Sequence, residues 1–224
     1  MKPLVVVPAF NEEVSIGEVL TDLKKHGYTN IVVVDDGSSD ACGKIAREEG
    51  AFVLRHILNR GLGAALGTGF EFARSMRFDT LVTFDADGQH RAADIAKLLV
   101  PIRENRADVV IGSRLLGETD GMPGQRKILN RLSNILTYLL FGVATTDSQS
   151  GLRAFNQKAV GCLVLKTDRM EVSSEFFKEI RRNKLRFAEV PIKPIYTDYS
   201  LKGSSQEENA SAKIAFRLVL RLFR

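Results

Sequence analysis

Leu81-Val82-Thr83-Phe84-Asp85-Ala86-Asp87-Gly88-Gln89-His90 is the stretch from which the rest of the chain can be read. Four apolar or β-branched residues run without a break, the pattern of a strand buried on both faces. Gly88 ends the run. Asp85 and Asp87 are two apart, so at a strand's end their side chains project to one side. Two hard oxygen ligands on one side can hold a divalent cation, Mg²⁺ or Mn²⁺. The plainer alternative is an acidic turn that caps the next helix, with both carboxylates in water. The apolar strand shifts the balance toward the metal, because open α/β sheets bind ligands at the carboxyl ends of their strands.

Working outward, the same pattern recurs. Leu4-Val5-Val6-Val7 and Ile31-Val32-Val33-Val34 read as buried strands, and Ala51-Phe52-Val53-Leu54 and Val109-Val110-Ile111-Gly112 as further strands. Helices are expected between them. One is capped by Asn11, with the stripe Ile16, Val19, Leu20 and Leu23. A second runs from a Ser39 or Asp40 cap to Glu49, closed by Gly50. A third opens at Asn59-Arg60-Gly61-Leu62-Gly63 and runs to about Met76, and a fourth covers Ala93–Glu104. Alternating strand and helix predicts an α/β fold, a mostly parallel sheet sandwiched by helices in a single domain. The strand ends share a theme: Pro8-Ala9-Phe10-Asn11-Glu12, Asp35-Asp36-Gly37-Ser38 and Asp85-Ala86-Asp87 bring carboxylates to one rim. Crowded like charges are unfavourable unless a cation or hydrogen-bond donors neutralise them. A metal and a nucleotide would supply both, and solvated loops are the alternative.

Other chemistries are excluded or weakened. There is no GxxxxGK[ST] and no GxSxG. Gly61-Leu62-Gly63-Ala64-Ala65-Leu66-Gly67 follows the third strand and has its third glycine one residue late, so close helix–strand packing explains it as well as phosphate contact does. His26 and His56 read as surface or structural residues, and His90 adjoins the paired carboxylates. Two cysteines, Cys42 and Cys162, make no disulfide framework, and reduced thiols in the cytoplasm are the simpler expectation. A net charge of +5 suits an anionic ligand or a membrane surface. No run is long enough to cross a bilayer, and Met1-Lys2-Pro3 leads straight into a strand, with no signal peptide expected.

The second half is less regular. Gly117–Gly124 reads as a loop. Gln125–Val143 is a strongly apolar helix, with Arg126, Lys127 and Arg131 near its start; it is either a core helix or one that lies in a lipid interface. Glu189–Tyr196 reads as a late strand at an edge or bulge. Residues 207–224 form a basic amphipathic segment, with Lys213, Arg217, Arg221 and Arg224 on one helical face and an interfacial anchor or a packed helix as its two readings.

Six motifs in order carry a resemblance: Pro8-Ala9-Phe10-Asn11-Glu12-Glu13, Val34-Asp35-Asp36-Gly37-Ser38, Asn59-Arg60-Gly61-Leu62-Gly63-Ala64, Asp85-Ala86-Asp87-Gly88-Gln89-His90, Gly112-Ser113-Arg114 and Ser150-Gly151-Leu152-Arg153-Ala154-Phe155. Over residues 3 to about 206 the chain resembles family-two glycosyltransferases of GT-A fold, most of all the dolichyl-phosphate mannose synthase branch and its bacterial polyprenyl-phosphate relatives. The resemblance implies a nucleoside-diphosphate sugar donor (GDP-mannose or a UDP-sugar), a divalent metal, inversion at the anomeric carbon and a polyprenyl or dolichyl phosphate acceptor. It implies that Pro8, Phe10, Glu12, Val34 and Asp36 hold base and ribose, that Asp85 and Ala86 reach the nucleotide, and that Asp85, Asp87 and Gln89 form the metal site. Arg114 and Arg126 would meet phosphates of donor or acceptor. Asp147 or Glu175 could be the base where a hydroxyl had to be deprotonated, with a loop cap for Asp147 and an exposed helix charge for Glu175 as the favoured plainer readings; a phosphate acceptor is already anionic. Leu201-Lys202-Gly203-Ser204-Ser205-Gln206 resembles a closing loop over the diphosphate, with Lys202 where the branch has Arg and Gln206 where it has Lys. The partners implied are the sugar nucleotide, the lipid phosphate and the inner, cytoplasmic face of a membrane, with peripheral attachment and no nucleic acid. The alternatives are a transferase acting on a saccharide hydroxyl and a sugar-nucleotide-binding protein without turnover.

Overall fold

The computed structural model describes residues 2–117 and 124–195, without the side chains of Gln125 and Arg126. Most of the Gly117–Gly124 loop, Tyr196, Lys202, Gln206 and the 207–224 segment therefore lie outside the described residues.

β1 (Leu4–Ala9), β2 (Ile31–Asp35), β3 (Phe52–Arg55) and β4 (Thr80–Thr83) are joined by α1 (Ile16–Lys25), α2 (Cys42–Glu48) and α3 (Leu62–Ser75). After β4 come α4 (Ala92–Arg103), β5 (Val109–Ser113), α5 (Gly124–Phe141), β6 (Arg153–Asn156), α6 (Gln157–Cys162), α7 (Val172–Arg182) and β7 (Phe187–Pro191). One sheet holds all these strands in the order β3-β2-β1-β4-β6-β5-β7. β1 lies parallel between β2 and β4, with Val5 opposite both Ile31 and Val82. β6 runs antiparallel between β4 and β5, and β7 pairs parallel with β5.

Alternation along β1 sorts the core into two layers. Val5 and Val7 pack with Ile16, Leu20, Leu23, Ile95 and Leu98 from α1 and α4. Leu4 and Val6 pack with Phe70, Phe155, Phe176 and Phe177, on the side of α3 and α7. Both faces of the central strands are covered, as their unbroken apolar runs require.

The expected strands and helices of the first half are present, with shifts at their ends. Asn11 does not cap α1, which begins at Ile16. The chain must first turn over the sheet edge, and Asn11 takes φ 57° to do so, a conformation that Asn tolerates. It ties two strand-end loops instead: its Oδ1 accepts from Ser39 N at 2.9 Å, and its own N–H donates to Ser38 Oγ at 3.0 Å. The N-cap of α2 is Ala41, with no side-chain cap; Asp40, one residue earlier, accepts from Cys42 N at 3.0 Å. The last strand begins at Phe187 and stops at Pro191, before most of the stretch the sequence suggests. β6 departs most from expectation, since a charged residue, Arg153, opens a buried strand.

Candidate active site

The carboxyl ends of β1, β2 and β4 open on a cavity of about 590 Å³ lined by Pro8, Phe10, Glu12, Asp36, Asp85, Ala86, Asp87, Gln89 and Arg114, among others. The rim expected from the strand ends is therefore a single site. Val34 is the exception. Its side chain is fully buried in the core layer with Val6 and Ala65, two residues before the cavity-lining Asp36.

At the β2 end, Asp36 is buried and pins the turn that opens α3. Its Oδ1 accepts from His56 Nδ1 at 2.6 Å and Arg60 N at 3.1 Å, and its Oδ2 from Gly61 N at 2.6 Å. A carboxylate has about four acceptor positions, which leaves one for a ligand. His56 is structural, with its other nitrogen 2.9 Å from Thr68 Oγ1. The glycines of this turn serve packing. A Cβ on Gly63 would collide with Thr167 O, and Gly61 stands at φ 105° against Asp168. The turn thus lets the segment before α7 close on α3, with Ala64 N donating to Asp168 O at 3.0 Å.

At the β4 end, the regular strand stops at Thr83, and the two carboxylates sit in the turn beyond buried Phe84. Asp85 Oδ2 lies 3.0 Å from His90 Nε2. A Cβ on Gly151 would collide with this carboxylate, so the glycine before β6 leaves Asp85 its place. Asp87 accepts from Gln89 twice, from the backbone N at 2.9 Å and from Nε2 at 2.7 Å. Burial alone would raise the pKa of Asp85, but the hydrogen bond and charge of His90, with Arg114 and Arg153 nearby, hold it below its ordinary value. Burial and then the charge of Asp85 push Asp87 up to about 6. Such a pair is what a dication relieves. Among the described residues no group of three or more His, Cys, Asp and Glu could hold a metal. Two carboxylates with substrate oxygens are nevertheless a common set for Mg²⁺.

Across the cavity stands Arg114, at the end of β5. Asp147 holds it in a bidentate pair, Nε to Oδ2 at 2.7 Å and Nη2 to Oδ1 at 2.9 Å, and also accepts from the Arg114 backbone N at 3.0 Å. Asn130 of α5 donates to Asp147 Oδ1 at 2.8 Å. Burial would raise the Asp147 pKa, but the charge and hydrogen bonds of Arg114 and Asn130 hold it below the ordinary value. Both of its oxygens are spent, so Asp147 orients Arg114. Glu175 does not line the cavity. It accepts from Lys166 N and Thr167 N, and from Thr167 Oγ1 at 2.7 Å, fastening the loop before α7. Arg126 lies in the first turn of α5, and Lys202 is outside the described residues. Asn130, Gln149 and Arg153 also line the cavity. Arg153 stands inside one of the six motifs without an expected role; an arginine next to the apolar pair Ala154 and Phe155 was the signal.

α5 has two unlike faces. Leu129, Asn130 and Ser133 line the cavity, while Ile128, Leu132, Ile135 and Leu139 on the other side are between 46 and 67% exposed. It is therefore not a helix buried all round. Among the described residues no helix is long and apolar enough to cross a membrane.

The chain is 50% identical over 220 residues to an uncharacterized protein of Methanocaldococcus jannaschii, covering 96% of this chain and 90% of that one. It is 39% identical over 238 residues to a UDP-N-acetylglucosamine–dolichyl-phosphate N-acetylglucosaminyltransferase of Methanococcus voltae, covering 97% and 93%. Its fold matches crystalline glucosyl-3-phosphoglycerate synthase of Mycobacterium tuberculosis, solved with Mn²⁺, UDP and glucosyl-3-phosphoglycerate, at a TM-score of 0.75 and 19% identity over 98% of this chain and 79% of that one. The sequence pattern of Glycosyl transferase family 2 matches residues 4–164, from the first strand through α6 and so across both walls of the cavity, and the chain belongs to that family of glycosyltransferases.

Proposed function

We propose that the protein transfers a sugar, with inversion, from a nucleoside-diphosphate sugar to a polyprenyl or dolichyl phosphate at the cytoplasmic face of a membrane. The M. voltae relative, named for UDP-N-acetylglucosamine and dolichyl phosphate, supports a UDP-sugar donor and a lipid-phosphate acceptor. In this reading Pro8, Phe10, Glu12 and Asp36 receive base and ribose, Asp36 through its remaining acceptor position. Asp85 and Asp87 would hold a divalent cation, and Gln89, which donates to Asp87, would keep that carboxylate in place. Such a cation would supply positive charge for the departing diphosphate. Arg114 offers its guanidinium to a phosphate.

The observation that carries the acceptor class is the engagement of Asp147 and Glu175. A saccharide hydroxyl needs a base to take its proton. Both candidates for that task have their oxygens committed, Asp147 to Arg114 and Asn130, and Glu175 to the 166–167 backbone. A phosphate dianion needs no base. Its oxygen bonds to the anomeric carbon from the face opposite the diphosphate, the bond to the diphosphate breaks, and no proton has to move. The exposed stripe of α5 beside the cavity supports peripheral attachment to the membrane.

The test is turnover of UDP-N-acetylglucosamine and GDP-mannose with a short-chain polyprenyl phosphate, with and without Mn²⁺. Metal-dependent product is expected, along with its loss by at least a hundredfold in Asp87→Ala, roughly the 3 kcal/mol typical of one electrostatic group. Transfer to free saccharides but not to the lipid phosphate would overturn the acceptor assignment.

A further inference from the structure

Arg153 opens β6 and is only 3% exposed. Burying a guanidinium is costly, so its surroundings must compensate. Nε donates to Ser150 O at 2.8 Å and Nη2 to Ser148 O at 3.1 Å, while the guanidinium carbon stands 4.5 Å from the centroid of the Phe176 ring. The group is thus held by two carbonyls and an aromatic face. The remaining nitrogen differs. Nη1 makes no hydrogen bond to the described residues, and it is not among the unpaired side-chain atoms sealed from solvent. Arg153 lines the cavity, and Nη1 is the guanidinium nitrogen left without an acceptor among the described residues.

Nearby carboxylates do not claim this nitrogen. Asp85 is paired with His90 and Asp147 with Arg114. Burial lowers the pKa of Arg153 to about 10, with Asp85 and Asp147 opposing the fall and the charge of Arg114 adding to it. Two guanidiniums therefore share one end of the cavity and repel, and an anion between them would relieve both.

We infer that Arg153 is the second half of a phosphate clamp, donating from Nη1 to an oxygen of the acceptor phosphate that Arg114 also holds. The inference rests on the reading of the acceptor as a lipid phosphate. It differs from a packing role in one respect. A packing arginine would matter for stability alone, whereas a clamp also changes acceptor affinity and leaves nucleotide affinity as it was.

The experiment titrates wild type, Arg153→Met and Arg153→Lys with farnesyl phosphate and, separately, with UDP and Mn²⁺, following heat of binding and recording melting curves. Arg153→Lys keeps the charge and most of the stem, so it remains informative if Arg153→Met does not fold. The clamp predicts a loss of farnesyl phosphate affinity of at least tenfold in Arg153→Met, a smaller loss in Arg153→Lys, and UDP affinity within twofold of wild type in both. Unchanged farnesyl phosphate affinity in a folded variant, or an equal loss of UDP affinity, would overturn the clamp. If wild type itself fails to bind farnesyl phosphate, the acceptor reading falls and the clamp falls with it.

Discussion

Gly151 shows how little room the carboxylate pair has. Any Cβ there would enter the space of the Asp85 carboxylate, so Gly151→Ala must displace either β6 or Asp85. Overpacking of this kind costs about 1–3 kcal/mol, which corresponds to a fall in Tm of roughly 5 °C for a chain of this size. The expected result is a folded protein with at least tenfold lower transfer activity; a fall in Tm with full activity would show that the backbone yields and Asp85 stays. At this scale the sequence was informative where chemistry and position coincide. Asp85, Asp87, Asp36 and Arg114 end apolar strands, and all four line the cavity. It was silent on which lone pairs were already used. That Asp36 is committed to Arg60 and Gly61, and Asp147 to Arg114, depends on contacts between distant segments that no local pattern encodes. Val34 shows the limit of alternation: two residues before Asp36, its side chain belongs to the core.

Among the elements, α5 joins the cavity to the surface. Its inner side meets the 145–150 loop through Asn130 and through Asn134, whose Oδ1 accepts from Ser148 N at 2.9 Å. Its outer stripe of Ile128, Leu132, Ile135 and Leu139 is exposed. Burying one such side chain in a lipid interface is worth about 1.5 kcal/mol, or roughly tenfold in partitioning. Leu132→Glu with Ile135→Glu should therefore weaken vesicle binding by roughly tenfold or more while moving stability by about 0.5 kcal/mol or less, as surface changes do. Transfer to a long-chain acceptor in vesicles should fall, and transfer to a short-chain acceptor in solution should not. Equal losses with both acceptors would assign the stripe to folding or assembly. The first half of the chain was legible because its strands are uniformly apolar and its helices periodic. β6 was not, since Arg153 breaks the apolar pattern and only its tertiary partners, the Ser148 and Ser150 carbonyls and the Phe176 ring, make it tolerable there.

Across the whole molecule, the far edge of the sheet is gathered by Asp108. Buried at the start of β5, it accepts from Arg186 N at 2.8 Å, Arg186 Nη2 at 2.8 Å and Asn156 Nδ2 at 2.9 Å, which links β5, β6 and β7. The hydrogen bonds of Arg186 hold its carboxyl well below the usual range, against the opposing effect of burial. A depressed carboxylate contributes stability that is present above the unfolded pKa of about 4 and is lost as pH falls toward the folded value. The stability gap between wild type and Asp108→Asn in urea unfolding should thus be the same at pH 7 and pH 5 and should narrow below about pH 4; a gap that ignores acid would assign the loss to geometry alone. The strand order also has a consequence for how the molecule is assembled. β5 touches β6 and β7 but not β4, so it can join the sheet only once β6 has been made and inserted. During synthesis the N-terminal strands can form a layer with β4 as its open edge, while β5 waits without a partner. A nascent chain that stalls before Arg153 therefore presents one open sheet edge, β4, and one unpaired strand, β5, an invitation to join the wrong neighbour.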